Sequence, residues 1–275
     1  CFRGFAGIRN IKHMRRYLLI DISNSFTKVA LARDNRIGRV HRLKTPTLAA
    51  KDFDKIASHV DAVVLSSVVP KKTKVVLKKF PSACVISHSL DLGIGIDYPN
   101  PAAIGADRLA NAAGCVAHYG FPAIVVDFGT AVTFDVISTN GSYIGGVIAP
   151  GLGAMTNYLH DRTALLPLIR LREPDCVVGR STEDAMLSGT IHGYRGLVGN
   201  ILAKIQAETF PSSRPHFIAT GGDAELLASG ESLFDVVDPL LTLRGLLVIG
   251  EKNTPFSGKP NGPRQTDALR DKNLL

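Results

Sequence analysis

One pattern occurs twice in this chain and limits what it can fold into. Tyr17–Asp21 (YLLID) is a short apolar run ending on an acid. Ser23, Asn24 and Ser25 follow as a small polar turn, and Phe26–Ala32 and Gly38–Leu43 then read as two more strands. At Ala123–Asp127 (AIVVD) the sequence starts again: another strand-ending acid, the turn Phe128-Gly129-Thr130, then Val132–Ile137 and Tyr143–Ile148 joined through Asn140-Gly141. Short apolar or alternating runs between polar turns read as strands, and Asn-Gly is a hairpin signal. Each copy therefore opens as an antiparallel meander of three strands. Two such halves would set two acids and two hydroxyl-bearing turns opposite each other across a cleft.

Mixed helix and strand follow each meander. In the first half the expected order is a helix-like stretch around Ala49–Ser58, a strand over Asp61–Val69, a basic helix from Pro70 to about Phe80, and a strand at Ala83–Ser87. Asp91–Pro101 is rich in Gly and Pro and reads as loop, and Ile104–His118 as a helix ended by Gly120 and Pro122. The second half offers helices near Gly153–His160 and over Thr182–Glu208. A strand at His216–Thr220 then runs into Gly221-Gly222, and Leu240–Ile249 reads as a closing helix. A length of 275 residues suits two compact lobes. Their expected bounds are 17–118 and 119–252, with 1–16 and 253–275 as flexible tails and Met14 as a candidate start.

The formal charge of +8 invites a nucleic-acid reading, but its distribution argues against one. Arg3, Arg9, Lys12, Arg15 and Arg16 crowd the first end with no acid among them, and Lys259, Arg264, Arg270 and Lys272 outnumber Asp267 and Asp271 at the other. The stretch between is almost neutral, whereas a nucleic-acid footprint gathers cations on a structured face. No apolar run reaches the roughly 18 residues of a membrane span, and no secretory pattern opens the chain. Cys1, Cys84, Cys115 and Cys176 lack the short spacings of a zinc site. Reduced, mostly buried thiols and a cytoplasmic location are expected.

Four segments could carry chemistry. Asp127–Thr133 and Asp21–Lys28 are acid-and-hydroxyl turns at strand ends, where exposed N–H groups can cradle phosphate and the acid can hold a cation; capped hairpin turns are the plainer reading. In Asn100–Arg108 the loop becomes a helix, which puts Asp107 in the first turn. There it either offsets the helix dipole or acts as a general base, with Arg108 on an anionic substrate. Thr220-Gly221-Gly222-Asp223 is a strand end that lets a flat ring or a phosphate approach backbone. Gly145-Gly146 and Pro150-Gly151 allow close packing. With no glycine-lysine phosphate loop and no complete dinucleotide fingerprint, any phosphate grip must come from turns and hydroxyls.

With these motifs in this order, the chain resembles the type III pantothenate kinases from about Tyr17 to Ile249. The resemblance is carried by Tyr98–Asn111 (YPNPAAIGADRLAN), Val126–Asp135 (VDFGTAVTFD), Gly145–Gly151 (GGVIAPG), Thr163–Pro167, Gly179–Gly189 (GRSTEDAMLSG), Thr220–Gly222 and Asp238–Leu246 (DPLLTLRGL). It implies an α/β fold of two duplicated ribonuclease-H-like lobes, of the actin-like ATPase kind, with a cleft between them. It also implies transfer of the ATP γ-phosphoryl group to the 4′-hydroxyl of pantothenate, the first step of coenzyme A biosynthesis. On that resemblance Asp107 is the base. Tyr98, Gly105, Ala106, Asp107 and Arg108 line the pantothenate pocket, and Thr182 reaches it across a homodimer interface. Asp21, Ile22, Ser23, Asn24, Ser25, Phe26, Thr27, Lys28 and Thr130 hold the ATP phosphates. Asp127 binds a monovalent cation (K+ or NH4+), and Mg2+ accompanies ATP.

One position departs from the family. Its first phosphate motif reads Asp-x-Gly-Asn-Thr, where this chain has Asp21-Ile22-Ser23-Asn24-Ser25. If that turn needs positive φ, Ser23 is strained by about 1–2 kcal/mol and its Cβ crowds a phosphate, so ATP binding is expected to survive in weakened form. Ser23 is also the one feature favouring a non-catalytic, regulatory family member. The sequence leaves room as well for a kinase acting on another small hydroxy or carboxylate substrate, and for an actin-like filament protein.

Overall fold

The computed structural model describes residues 15–57, 59–229 and 233–254. The expected tails fall almost wholly outside the described residues, as do Cys1 and Met14. Two sheets form. In the first, β1 (Arg16–Ile22), β2 (Phe26–Arg33) and β3 (Arg36–Lys44) are the expected antiparallel meander, and β4 (Ala62–Ser67) and β5 (Cys84–Val85) add in parallel on the other side of β1, giving the order β3-β2-β1-β4-β5. β1 is buried on both faces after its first residue, which is why its sequence is a continuous apolar run and not an alternation.

The second sheet repeats this plan. Its meander is β7 (Ala123–Phe128), β8 (Ala131–Ile137) and β9 (Ser142–Pro150), with β10 (His216–Gly221) and β11 (Val236–Val237) in parallel beyond β7. A short strand, β6 (Gly95–Ile96), pairs with β9 at the far edge, so the order is β11-β10-β7-β8-β9-β6. Third, second, first, fourth, fifth is thus the strand order of both sheets. The duplicated, ribonuclease-H-like two-lobed fold follows from that identity. Because β6 lies inside Asp91–Pro101, that segment is not loop throughout: its backbone finishes the edge of the other sheet.

Six α-helices accompany the sheets among the described residues: α1 (Pro70–Lys79), α2 (Ala106–Tyr119), α3 (Leu152–Arg162), α4 (Thr182–Thr209), α5 (Ala224–Ala228) and α6 (Leu241–Asn253). Pro70 opens α1, where its missing N–H costs nothing. Ser181 caps α4, its Oγ accepting the Asp184 N–H at 3.1 Å. The helix expected over Ala49–Ser58 is only a 3-10 turn at Ala50–Phe53, buried through Phe53. The helical spacing of apolar residues there is too short to propagate.

α2 and α6 decide where the cleft lies. α6 follows the second sheet in sequence yet packs on β1 and β4 of the first, while α2 touches β4, β7 and β8. The two helices cross with backbones nearly touching: a Cβ on Gly245 would lie 1.8 Å from the Ala110 carbonyl oxygen, and one on Gly114 2.7 Å from that of Leu241. One apolar core therefore runs from Tyr17, Leu19 and Val64 through both helices to Val125 and Ile218. Separate cores cover the outer faces, around Phe53 and Val76 in the first sheet and around Ile191 and Tyr194 of α4 in the second. Among the described cysteines Cys115 is buried, Cys84 half-buried and Cys176 exposed, so burial holds fully for one of them. Among the described residues no helix is long and apolar enough to cross a membrane.

Candidate active site

Both acidic turns open into one cleft of about 750 Å³, lined by Asp21, Ser23, Ser25 and Lys28 from one side and by Asp127, Gly129, Thr130 and Gly221-Gly222 from the other. The turns meet directly. Ser25 Oγ and Thr130 Oγ1 lie 2.9 Å apart in a hydrogen bond between the two sheets' hairpins. β1 and β7 each deliver an acid to this point at equivalent register: Asp21 sits opposite Lys28 and beside Ser66, and Asp127 opposite Thr133 and beside Thr220.

The two acids are held differently. Asp21 is 4% exposed and accepts a hydrogen bond from Ser66 Oγ at 3.0 Å. Burial pushes its pKa up to about 7, against the pull of Lys28, and the carboxylates of Asp107 and Asp127 add to the rise. Asp127 is half-buried. Its Oδ2 accepts from Asn111 Nδ2 at 3.0 Å, and the Asn111 carbonyl in turn accepts from Thr242 Oγ1 at 2.8 Å. Behind Asp127, Gly221 adopts φ +100°, and a Cβ there would lie 2.5 Å from Phe128 N and 2.6 Å from Asp127 Oδ1. Only glycine allows β10 to end this close to the acid.

Ser23 corrects the expectation of strain. Asp34, Asn35 and His59 are the non-glycine residues at positive φ among those described, and Ser23 is not one of them. Its N–H donates to the Phe26 carbonyl at 3.1 Å. Gly129, at the equivalent point of the second turn, also lies outside positive φ, and a Cβ there would come no closer than 3.3 Å to the Ala131 oxygen. Neither turn needs glycine for its backbone. Within the first turn, Ile22 and Thr27 direct their side chains into the interior, Thr27 Oγ1 bonding Thr45 Oγ1 at 2.9 Å. They contribute backbone to the site, whereas Ser23, Asn24, Ser25, Phe26 and Lys28 present side chains at least partly open.

Asp107 lies in the first turn of α2, as expected. It accepts the Arg108 N–H at 2.9 Å, and a Cβ on Gly105 would come within 2.5 Å of its Oδ1. Burial, then the nearby Asp127 carboxylate, raises its pKa. Burial of this kind raises a carboxylate's proton affinity, which suits a group that must accept a proton. Asp107 is not among the residues that line the cleft between the turns, though its charge raises the Asp21 pKa and that of Asp127 raises its own; Ala106 beside it contributes backbone in the same turn.

Arg108 points to different partners than the sequence could reveal. Its Nε donates to the buried Asp135 Oδ1 at 2.6 Å and its Nη2 to the Phe134 carbonyl at 3.4 Å, and its guanidinium lies 5.6 Å from the Tyr143 ring centroid. Tyr98 packs edge-on against Tyr143, 6.1 Å between centroids, and is 37% exposed. Thr182 opens α4 and is exposed; no hydrogen bond joins it to Asp107 or Arg108 among the described residues. Asn111, Asp135, Tyr143 and Thr242 are site residues that sequence reasoning misses. Of these Asn111 carries a usable signal, since it follows Asp107 by one helical turn on the same face.

Cation chemistry also fits. Asp127 Oδ1 makes no hydrogen bond among the described residues, and Thr220 Oγ1, beside it in register, is fully buried with no partner. These are hard oxygen donors without compensating hydrogen bonds. No cluster of three or more His, Cys, Asp or Glu residues that could hold a metal ion occurs among the described residues.

Known proteins resemble this chain in sequence and in fold. A family model described as type III pantothenate kinase matches residues 17–204. The type III pantothenate kinase of Methylacidiphilum infernorum is 43% identical over 87% of this chain and 92% of its own length. That of Akkermansia muciniphila is 48% identical over 86% and 99%. Among solved structures, a Baf-family protein of Campylobacter jejuni superposes with a TM-score of 0.59 at 22% identity, over 86% of this chain and 98% of that one. The ethanolamine utilization protein EutJ of Carboxydothermus hydrogenoformans does so at 0.50 and 13%, over 86% and 90%.

Proposed function

We propose a role for each part of the cleft in a chain that belongs to the type III pantothenate kinase family. Its reaction is transfer of the ATP γ-phosphoryl group to the 4′-hydroxyl of pantothenate, opening coenzyme A biosynthesis; ATP and pantothenate are its substrates. The observation that supports the division of labour below is the Ser25–Thr130 bond. It sets two phosphate-sized turns face to face, with Asp107 electrostatically coupled to the acid of each.

On this reading the N–H groups and hydroxyls of Ser23 to Phe26 and Thr130 hold the phosphate chain, exchanging the Ser25–Thr130 bond for bonds to phosphate oxygens, and Lys28 neutralises charge. Asp127 Oδ1 with Thr220 Oγ1 would hold a monovalent cation, and Mg2+ would come with the nucleotide; together they supply positive charge to the phosphates. Arg108, with Tyr98 and Gly105, receives pantothenate by its carboxylate and presents the 4′-hydroxyl to Asp107, which takes the proton as the oxygen bonds to the γ-phosphorus and the bond from that phosphorus to the β-phosphate oxygen breaks, releasing ADP. Catalysis by positioning and charge stabilisation is the usual division in phosphoryl transfer.

We further propose a homodimer. Ile148, Tyr158, Leu165, Leu168, Val177 and Val178 are exposed along β9, α3 and the segment leading to α4, Leu165 by 90% and Val178 by 81%. An apolar surface of this kind favours burial against a partner, and pairing there would bring Thr182 of one copy toward the other's acceptor pocket. The draw on ATP and the free thiols of the described Cys84, Cys115 and Cys176 support a cytoplasmic location.

A non-catalytic, regulatory role would draw its support from strain at Ser23, and the backbone there removes that ground. Asp107→Asn is the test of the kinase mechanism. We expect kcat to fall by about 10²–10⁴-fold, the worth of a general base, with pantothenate still binding by calorimetry. Turnover near that of the parent enzyme refutes Asp107 as base.

A further inference from the structure

The acceptor side holds a buried acid that the proposed mechanism does not use. Asp135, on β8, is fully buried, and the Arg108 guanidinium is the cation that meets it. The surroundings constrain that guanidinium on several sides. Nε is taken by Asp135 Oδ1, Nη2 by the Phe134 carbonyl, and one face by the Tyr143 ring. Gly146 supplies the space: a Cβ there would lie 1.6 Å from the Phe134 oxygen and 2.7 Å from Arg108 Nη2. Nη1 makes no hydrogen bond among the described residues, and the Arg108 side chain keeps 14% exposure.

We propose that Asp135 is a positioning residue that sets the enzyme's preference for an acid over a neutral acceptor, by fixing Arg108 so that its free donors lie on the Nη1 side of the guanidinium. This rests on the reading of Arg108 as the group that meets the pantothenate carboxylate. The physical case is one of geometry. Arginine presents its donors in a rigid planar fork, so anchoring Nε and Nη2 determines where Nη1 points. An unanchored guanidinium on a three-carbon stem would have to give up rotamer freedom on each binding event. Asp135 is itself titratable and buried, its pKa pushed up to about 7 by that burial despite Arg108. Its charge offsets part of the guanidinium's, so the acid preference comes from where the anchored donors point and not from a stronger field: a carboxylate placed on the free edge gains a charge-assisted hydrogen bond that an amide cannot match. The titratable and charged groups facing Asp135 are Arg108 and Asp107 from α2, Cys115 farther along the same helix, Tyr143 from β9, and Asp127 from β7.

The test compares pantothenate with its primary amide, which keeps the 4′-hydroxyl and loses the charge. For Asp135→Asn we expect KM for pantothenate to rise about tenfold or more, the scale of one misplaced charge-assisted hydrogen bond, while kcat and the KM for the amide move by less than about threefold. The ratio of kcat/KM for acid to amide then collapses. Equal losses on both acceptors, or no loss on either, overturn the proposal. Arg108→Gln separates it from the reading beneath it. If that variant keeps the acid preference, Arg108 does not meet the carboxylate and both fall; if it loses the preference while Asp135→Asn keeps it, this inference alone falls. Should Asp135→Asn fail to fold, Arg108→Lys decides. An ammonium that must serve Asp135 has no second anchored edge, so loss of acid preference supports the positioning role and parent-like preference ends it.

Discussion

The two acidic hairpins share a backbone plan but surround their acids differently, beginning with the residue each places across from its acid. Opposite Asp21 stands Lys28, and opposite Asp127 stands Thr133. The first hairpin therefore carries its own cation, with Arg42 beyond it stacked at 3.7 Å over the Phe26 ring. The second has no cation at that register. The neighbours on the parallel side differ as well. Ser66 spends its hydroxyl on Asp21, while the Thr220 hydroxyl is buried and unused and Asp127 turns to Asn111 instead. One copy is charge-neutral and bound up, suited to grip phosphate; the other keeps unspent oxygen, suited to a cation. On the proposed reading, the matched positions Lys28 and Thr133, and Ser66 and Thr220, divide the roles of two hairpins built on one plan.

Of the changes within the two hairpins, removing the cation from the first should give the largest effect. Lys28→Met is expected to raise the KM for ATP about a hundredfold, the upper scale of a charge-assisted hydrogen bond to phosphate, with the KM for pantothenate moving by less than about threefold, as expected of distant sites. Initial-rate kinetics with each substrate varied would show it. Equal weakening of both substrates would mean that Lys28 holds the cleft together and does not select phosphate.

Each sheet also buries one carboxyl beside a cation, Asp21 near Lys28 and Asp135 against Arg108, and both have pKa values raised to about 7. An acid with a folded pKa above its unfolded value of about 3.9 binds its proton more tightly when folded. Its contribution to stability is whole below about pH 4 and is lost as pH rises toward 7. For Asp135 that loss between about pH 5 and about pH 7 is on the order of 2 kcal/mol. Urea denaturation of Asp135→Asn should therefore show a flatter decline of stability over this range than the parent, so that the variant gains on it as pH rises. Parallel curves would mean that Asp135 is ionised throughout.

Asp127→Asn strikes the second hairpin and should cost less, about tenfold in kcat. Its distinctive mark is loss of the rate dependence on added K+ or NH4+. A readout independent of turnover is the shift of melting temperature by K+ in the absence of nucleotide, present in the parent and absent in the variant. A variant that keeps both responses moves the cation away from Asp127.

How much of this can be read from the chain alone follows from what each feature depends on. The meanders are legible because strand period and turn residues are local, and the placement of Asp107 because a helix start is local too. The Arg108–Asp135 pair is not, since it depends on how far α2 sits along β8, a matter of packing and not of spacing. β6 escapes because two residues in a Gly- and Pro-rich stretch carry no period. The return of α6 to the first sheet escapes because Gly114 and Gly245 look like ordinary helix weaknesses, and only the crossing shows that each clears a backbone. Ser23 misleads in the opposite direction: a glycine in the family motif suggests positive φ, and this turn has none there.

That position yields the smallest and most discriminating effect. Since Ser23 and Gly129 occupy equivalent, unstrained backbone, restoring the family residue by Ser23→Gly relieves nothing in the turn. A more flexible glycine in a turn instead costs about 0.5–1 kcal/mol of folding entropy. We expect stability to fall by that amount and the KM for ATP to change by less than about threefold, since ~0.6 kcal/mol is all that a hydroxyl at the phosphate edge need contribute. If Ser23→Gly tightens ATP about tenfold, ~1.4 kcal/mol, the Cβ crowds the phosphates after all. The first hairpin would then be the impaired copy, and the division of labour drawn from Lys28 and Thr133 would have to be rebuilt around a weakened nucleotide grip.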